Sequence, residues 1–445
     1  MFAAKKMRLV MSVLASAAVL AGCADDTTGP SAGGESSVQG RVEETAPPAS
    51  SPSASGPERA PAANARTVSV VQIQADGSFT ALATADVDAG GSFTVQGVPA
   101  GRAELAVVAY TDGGAEVGGV LIHEATRANV TIVTAPINGE TTLEARAYSR
   151  FRASASGEAS TSSELSLFTH ASSSSAEAAA ASQAEIDAIA AAYASASATM
   201  TAVYQMSGAA FDASTRADVV ADAAVEFASR RNSGTSSTIA HRMFTEAALD
   251  AFVDSGVDLE ATVLATAAAA STFDATLEGS SSFRGDLDLQ PVQMNLLARE
   301  RLAGSFSATA EGSVAVAVRD VLADARAGLS LGLGLIDLRA LIEDSLTAVV
   351  DAGADACVTL LAAGASSTVQ TEVRAAAEAA FEAARLEARL QSATTAQAAG
   401  SAMASYRADV HAAIDSMIVA SGSVTVDAEA LTTIFIAASG GAYIR

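Results

Sequence analysis

The chain has 445 residues, which is enough for two or three domains with hydrophobic cores. Half of its residues are hydrophobic, but only 4% are aromatic and none is Trp, so alanine supplies much of the apolar count. The formal net charge is −24 at pH 7. A surface this acidic repels phosphate backbones, and we therefore exclude nucleic acid as the expected partner.

A basic leader and a short apolar segment open the chain. Three basic residues within the first eight precede an apolar run over residues 9–22, which is the pattern of a secretory signal. The run ends in Leu20-Ala21-Gly22-Cys23, which resembles the lipobox of bacterial lipoproteins. The resemblance implies that residues 1–22 are a signal peptide, and that Cys23 becomes the first mature residue with an acylated sulfur and an acylated amino group. Loss of the leader moves the formal charge from −24 to −27, because it removes three positive charges and no acid.

A transmembrane anchor is the alternative interpretation of this segment. The run of 14 residues falls short of the ~20 that span a hydrocarbon core, and Asp25 and Asp26 follow without a basic flank. Two or three acyl chains on Cys23 satisfy the requirement for stable anchoring in a bilayer. In enterobacterial lipoproteins an Asp directly after the Cys favours the inner membrane. Because Ala24 occupies that position, the resemblance implies a protein of the cell envelope at the outer membrane.

Residues 23–36 are predicted to be a flexible tether. They are rich in Asp, Thr, Gly and Ser, and after the Cys they contain no hydrophobic residue larger than Ala. Such a segment cannot bury enough apolar surface to offset its ordering entropy. The stretch 24–36 could reach at most ~45 Å, which is enough to hold a domain clear of lipid headgroups.

From residue 37 to residue 147 the pattern changes to short runs of alternating apolar and polar residues. Val38–Val42 and Phe93–Val95 are two of these runs, and pairs of Gly or Asp-Gly separate them. Period-two runs between turns predict an antiparallel β-sandwich. Residues 105–110 form a more continuous apolar run. Residues 45–65 contain five prolines and are predicted to be a disordered insertion.

One hairpin in this region resembles a known family. Residues 88–101, with the sequence DAGGSFTVQGVPAG, are similar to the central hairpin of carboxypeptidase regulatory-like domains, which are transthyretin-like (prealbumin-like) β-sandwiches. In that family an Asp/Gly turn leads into a strand with a buried Phe, and a Gly-x-Pro-x-Gly turn follows. Phe93 and Pro99 match these positions. The resemblance implies a prealbumin-like fold and little about function, because such domains serve as spacers, interaction modules and occasional ligand binders.

The second half of the chain is predicted to be a large, Ala-rich all-α domain over residues 176–445, joined to the sandwich by a Ser-rich linker over residues 148–175. Ala, Glu, Asp, Arg and Leu dominate, and Pro291 is the single proline after residue 136. Apolar stripes at helical spacing occur in the segments 176–206, 214–231, 237–254, 258–278, 291–303, 335–363, 367–391 and 401–420. Phe381 lies on one stripe with Val373 and Ala377.

Three motifs suggest chemistry, and each has a simpler interpretation. Asp86 and Asp88 alternate as in a calcium loop, but an acidic turn is expected at this place, and we favour the turn. Arg284-Gly285-Asp286 is the tripeptide that integrins bind, and we attribute it to chance. Gly332-Leu333-Gly334 lacks the third glycine of a nucleotide-binding loop, so a helix break or close helix packing is expected.

The histidines and the second cysteine complete the candidate residues. His123, His170, His241 and His411 lie far apart in sequence, and none belongs to a zinc-binding or nucleophile motif. Cys357 lies in an apolar helical context and is predicted to be a buried, unreactive thiol. We therefore predict Cys23 as the lipidation site and no catalytic, cofactor-binding or metal-binding residue.

Two functions fit these observations. The first is a non-enzymatic, lipid-anchored cell-envelope protein with a binding or structural role, whose partners are the bilayer and an envelope protein or glycan. The second is an envelope hydrolase or glycan-acting enzyme with its site in the helical domain. A pocket with clustered carboxylates or a histidine would favour the second function, whereas a smooth acidic bundle would favour the first.

Overall fold

The structure is a computed structural model that describes residues 34–43, 65–154, 181–207, 213–235, 237–277, 289–329, 335–391, 393, 395–423 and 425–441. Within this part of the chain, strands in two sheets come first and a series of helices follows. The predicted order of a β region and then an α region is confirmed at this level.

Several predicted features lie outside the described residues. They are the signal peptide 1–22, Cys23, the tether up to residue 33, the insertion 45–65 apart from Ala65, the linker from residue 155, His170, Arg284-Gly285-Asp286 and Gly332-Leu333-Gly334. The side chain of His241 also lies outside the description.

The strands are β1 (Glu35–Arg41), β2 (Ala65–Ile73), β3 (Phe79–Asp86), β4 (Ser92–Pro99), β5 (Leu105–Thr111), β6 (Glu116–Ile122) and β7 (Thr131–Val133). They form a three-stranded sheet in the order β4-β1-β7 and a four-stranded sheet in the order β3-β2-β5-β6. The first strand begins before the predicted end of the tether, because Glu35 and Ser36 already pair with Pro99 and Val98 of β4. Composition does not reveal such backbone pairing.

The pairings are antiparallel throughout the larger sheet and between β1 and β4. The exception is β7, which pairs in parallel with β1. The prediction of an antiparallel sandwich is therefore wrong at β7. Parallel neighbours need a long connection, and here the chain between β1 and β7 passes through β4 and all four strands of the other sheet before it returns.

The strand β5 explains how the two regions join. Val107 and Ala109 face the other sheet, where Val38 and Val95 complete the core of the sandwich. The alternate residues of β5, together with their neighbours on β2 and β6, face the helices; these are Val71, Ile73, Ala106, Val108 and Leu121. The continuous apolar run over 105–110 thus reflects a strand that is buried on both faces.

The helices are α1 (Gly139–Ser154), α2 (Gln183–Met206), α3 (Ala213–Asn232), α4 (Ser237–Asp254), α5 (Leu259–Leu277), α6 (Leu289–Gly304), α7 (Gly312–Leu329), α8 (Leu335–Ala362), α9 (Ser367–Ala383), α10 (Leu386–Leu390), α11 (Ala396–Ala404), α12 (Tyr406–Ser421) and α13 (Ala428–Ser439). Polar side chains cap the N-termini of several of these helices. Ser182 and Glu185 form a capping box at α2, and Asp427 accepts from two backbone N–H groups of α13.

The first helix corrects the predicted boundary between the sandwich and the linker. α1 begins at Gly139, inside the range given to the sandwich, and runs to Ser154, inside the range given to the linker. Tyr148 and Phe151 are buried, and the ring of Phe151 packs edge-on against Tyr193 of α2 at 4.7 Å between centroids. These two aromatic residues hold α1 on the helical core, so residues 148–154 are part of the packed structure.

The helix α5 lies at the centre of the helical region. All residues from Ala261 to Asp274 are buried. Small side chains allow close packing, and threonine hydroxyls pair across the helices, as where Thr272 donates to Thr199 of α2 at 3.1 Å. Asn295 of α6 donates to the carbonyl of Val263 at 2.9 Å. The helical core therefore contains polar contacts as well as alanine.

Two described helices are long and apolar enough to cross a membrane by length and composition. They are Gln183–Met206 and, within α8, Arg339–Ala362, and 56% and 44% of their apolar windows are buried in the protein. Core helices of soluble proteins pass the same test. The observation is therefore weak support for a membrane span.

Candidate functional site

In the acidic turn before β4, a carboxylate oxygen of Asp88 accepts hydrogen bonds from backbone N–H groups. Oδ1 of Asp88 accepts from the N–H groups of Gly90 and Ser92, each at 2.8 Å. Gly91 has a φ of +82°, which glycine adopts without strain. This geometry is the turn that the sequence analysis favours over a calcium loop. No group of three His, Cys, Asp or Glu residues able to hold a metal ion is found in the described part of the chain.

Cys357 is fully buried on α8, as predicted. Burial raises the pKa of its thiol to about 12, because a thiolate would lose its hydration there. The thiol therefore stays protonated at physiological pH. A protonated, inaccessible sulfur acts as a small hydrophobic group and not as a nucleophile.

His123 lines a small cavity where the sandwich meets the helices. The walls of this His123 cavity come from β6, β7, α1, α3 and α4, and its volume is about 30 Å³. That volume holds about two water molecules, whereas ligand pockets begin near ~300 Å³. Burial lowers the pKa of His123 to about 4, so the imidazole is neutral at pH 7. The cavity is part of the junction between the two regions.

His411 lies in a network of charges on α5, α12 and α13. Its Nδ1 is 3.1 Å from Asp415, and its Nε2 is 3.4 Å from Glu429. Arg407 bridges Glu429 to Glu260 of α5, and the Arg407–Glu260 distance is 2.6 Å. Burial raises the pKa of Glu260, while Arg407 opposes the shift. Through Arg407 and His411 the network links α5, α12 and α13.

A larger groove is formed by α8, the end of α9 and the end of α13. Its volume is about 290 Å³, close to the lower limit for ligand pockets. We call it the Ser439 groove; it is lined by Glu343, Leu346, Thr347, Val350, Asp351, Glu382, Arg385 and Ser439. Unlike the His123 cavity, this groove has room for a small organic molecule.

A buried aromatic stack positions the three helices around the groove. Phe381 of α9 is fully buried, as its stripe predicts, and its ring stacks on Phe435 of α13 with 3.9 Å between centroids. Gly353 of α8 faces the same ring so closely that a Cβ there would overlap it. The contact fixes α8, α9 and α13 with respect to one another.

Arg299 of α6 positions the end of α13 from the other side. The residue is only 1% exposed, and its Nε donates to the carbonyl of Ala437 at 2.7 Å while Nη2 donates to Ala438. These are the last carbonyls of the helix, where a cation is favourable. Burial lowers the pKa of Arg299 to about 10, so the guanidinium remains charged at neutral pH. Ser439 follows directly after these carbonyls.

Two buried polar atoms at the groove, the hydroxyl of Ser439 and one nitrogen of Arg385, have no hydrogen-bond partner among the described residues. Ser439 is 1% exposed, and its Oγ has no hydrogen-bond partner among the described residues. The buried Nε of Arg385 also has none in this part of the chain. Buried polar groups are nearly always paired, so each exception indicates water or a ligand. The amino-acid pattern does not indicate Ser439 or Arg385 as site residues, because their burial depends on contacts between distant helices.

The comparisons with known proteins add no assignment. No protein-family model, curated protein or solved structure matches this chain.

Proposed function

We propose that the protein is a lipid-anchored component of the bacterial cell envelope with a binding or structural role. The observation that carries the proposal is the sequence Leu20-Ala21-Gly22-Cys23 after a basic leader and a 14-residue apolar run. Acylation of Cys23 would attach the chain to the bilayer, and Ala24 directly after it favours the outer membrane. The acidic mature chain disfavours nucleic acid as a partner and leaves an envelope protein or a glycan.

We further propose that the strands form a prealbumin-like sandwich that acts as a spacer or interaction module. Two findings support this assignment. Phe93, the residue that matches the buried position of the family hairpin, is 4% exposed in the core between the two sheets. Gly97 and Gly101, on either side of Pro99, both have positive φ values of +74° and +77°, as the turn requires.

The alternative, an envelope hydrolase or glycan-acting enzyme, has one supporting observation. The Ser439 groove contains three carboxylates, those of Glu343, Asp351 and Glu382. The side chains of Asp351 and Glu382 are 66% and 58% exposed, and a general acid in glycoside hydrolysis instead needs an environment that raises its pKa. The groove is therefore better suited to recognising charge than to acid catalysis. A screen with glycan substrates tests this, and an activity lost in Glu343→Gln would establish the enzyme.

The anchoring proposal is tested by Cys23→Ser in a Gram-negative host. The variant is expected to accumulate as an uncut precursor and to leave the membrane fraction after salt and carbonate washes, because the thioether is the attachment point. Cys357→Ser is the matched control, since it changes the other cysteine of the chain, and it should stay with the membrane. Retention of Cys23→Ser in the washed outer membrane would overturn the proposal.

A further inference from the structure

The wall of the Ser439 groove on α8 has two charged ends and an apolar middle. Glu343 and Asp351 are eight residues apart on the helix, and Leu346 and Val350 lie between them. Spacings of three, four, seven and eight residues place all four on one helix face. At a rise of 1.5 Å per residue, the two acidic positions are separated by about 12 Å along the axis.

The charges of the groove are not balanced. Glu343, Asp351 and Glu382 oppose a single cation, Arg385. The guanidinium of Arg385 already lies 3.4 Å from Glu382 and 3.4 Å from Glu387, which stands outside the groove. Glu343 has no ion pair within the described residues, and Asp351 is 3.8 Å from Arg374. The groove therefore retains negative charge at both ends of the apolar strip that Leu346 and Val350 form.

Ser439 supplies an independent indication of a ligand. It lines the groove, and its hydroxyl is buried and has no hydrogen-bond partner in the described chain. Leaving a buried hydroxyl unpaired is unfavourable, and a donor or acceptor placed in the groove would satisfy it. Arg299 and the Phe381–Phe435 stack hold this part of α13 in place, so the hydroxyl is preorganised.

We propose that the Ser439 groove binds a linear aliphatic polyamine. The terminal ammonium groups lie at Glu343 and Asp351, and the methylene chain covers Leu346 and Val350, as lysine stems cover apolar surface while their charged ends remain hydrated. An inner amine donates to Oγ of Ser439. This assignment goes beyond the proposed function and holds whether or not Cys23 is acylated.

The test is isothermal titration calorimetry of the full chain in detergent with spermidine. Glu343→Gln/Asp351→Asn is expected to weaken binding by about tenfold, because it removes both terminal ion pairs. Asp344→Asn is the matched control: it removes one charge at the neighbouring exposed position that does not line the groove, and it should leave the affinity unchanged. Ser439→Ala should weaken binding by a smaller factor than the double variant.

Two further probes separate the contributions of the ammonium charges and of the methylene chain to spermidine binding. An uncharged diol with a methylene chain of similar length should not bind, and magnesium chloride should not displace spermidine at matched ionic strength. The proposal is overturned if spermidine does not bind, if Asp344→Asn loses as much affinity as the double variant, or if magnesium displaces spermidine stoichiometrically. The last two results would show diffuse attraction to an acidic chain.

Discussion

The sandwich and the helical region bury apolar surface in different ways. In the sandwich the core is built from many similar valines, among them Val38, Val70 and Val107, all fully buried. In the helical region alanines fill the contacts around α5, and each alanine buries little area. A few large side chains, such as Phe381, therefore hold several helices at once. The comparison indicates that stability is distributed in the sandwich and concentrated in the helical region.

The largest expected effect comes from truncating the aromatic stack. Phe381→Ala should lower the free energy of unfolding by ~3–5 kcal/mol, because it leaves a cavity against Phe435 and Gly353. A typical domain has only ~5–15 kcal/mol in total. Val70→Ala in the sandwich should lower it by about 2 kcal/mol, since it removes two carbons. Urea unfolding followed by circular dichroism measures both changes.

The control for this pair is Val419→Ala, which truncates a side chain that is 79% exposed and should change nothing measurable. If Val70→Ala proves more damaging than Phe381→Ala, the contrast between distributed and concentrated stability is wrong.

Overpacking the same two regions should have a smaller effect. A Cβ at Gly353 would overlap the ring of Phe381, and one at Gly40 would lie 2.7 Å from the ring of Phe93 and also meet Thr134. Each Gly→Ala change should cost ~1–3 kcal/mol in the free energy of unfolding. In the helical region Phe381→Leu should relieve part of the cost of Gly353→Ala, and a double-mutant cycle by urea unfolding measures this coupling. Strict additivity of the two changes would show that the residues do not share one packed site.

The smallest effect concerns pH at the junction of the two regions. The folded-state pKa of His123 is about 4, below the ~6.5 of an unfolded chain. The unfolded state therefore binds more protons at acidic pH. The stability that comes from keeping His123 neutral is fully present above about pH 6.5, and the free energy of unfolding falls as the pH decreases toward 4. His123→Gln should flatten the decline in urea midpoint between these pH values. Glu124 and Glu144 line the same cavity and are present in both the unsubstituted protein and the His123→Gln variant, so their titration does not distinguish the two. If the urea midpoints of the two proteins decline in parallel with pH, His123 does not contribute to the decline.

Periodicity predicted many of the helices and missed others for physical reasons. The segment predicted over 237–254 coincides with α4, where large apolar residues repeat at helical spacing. In α7 the run Val314-Ala315-Val316-Ala317-Val318 alternates as in a strand, and in α13 β-branched residues dominate the middle. Burial against neighbouring helices outweighs these local preferences.

The sequence alone indicates only part of the Ser439 groove. The spacing of Glu343 and Asp351 can be read from the chain, but a pair of acids on a helix is usually a solvated face. Ser439 and Arg299 gave no local signal, because Arg299 reaches carbonyls 138 and 139 residues away. Contacts at such separations depend on the tertiary packing of α6 on α13.

The most direct test of the anchoring proposal is the mass of the N-terminal peptide. After signal cleavage, trypsin should release Cys23–Arg41 from the membrane-extracted protein, since no Lys or Arg lies between these residues. Mass spectrometry is expected to find this peptide with a diacylglyceryl group and an amide-linked acyl chain on Cys23. An unmodified Cys23, or a peptide that still begins upstream at Leu9, would contradict it.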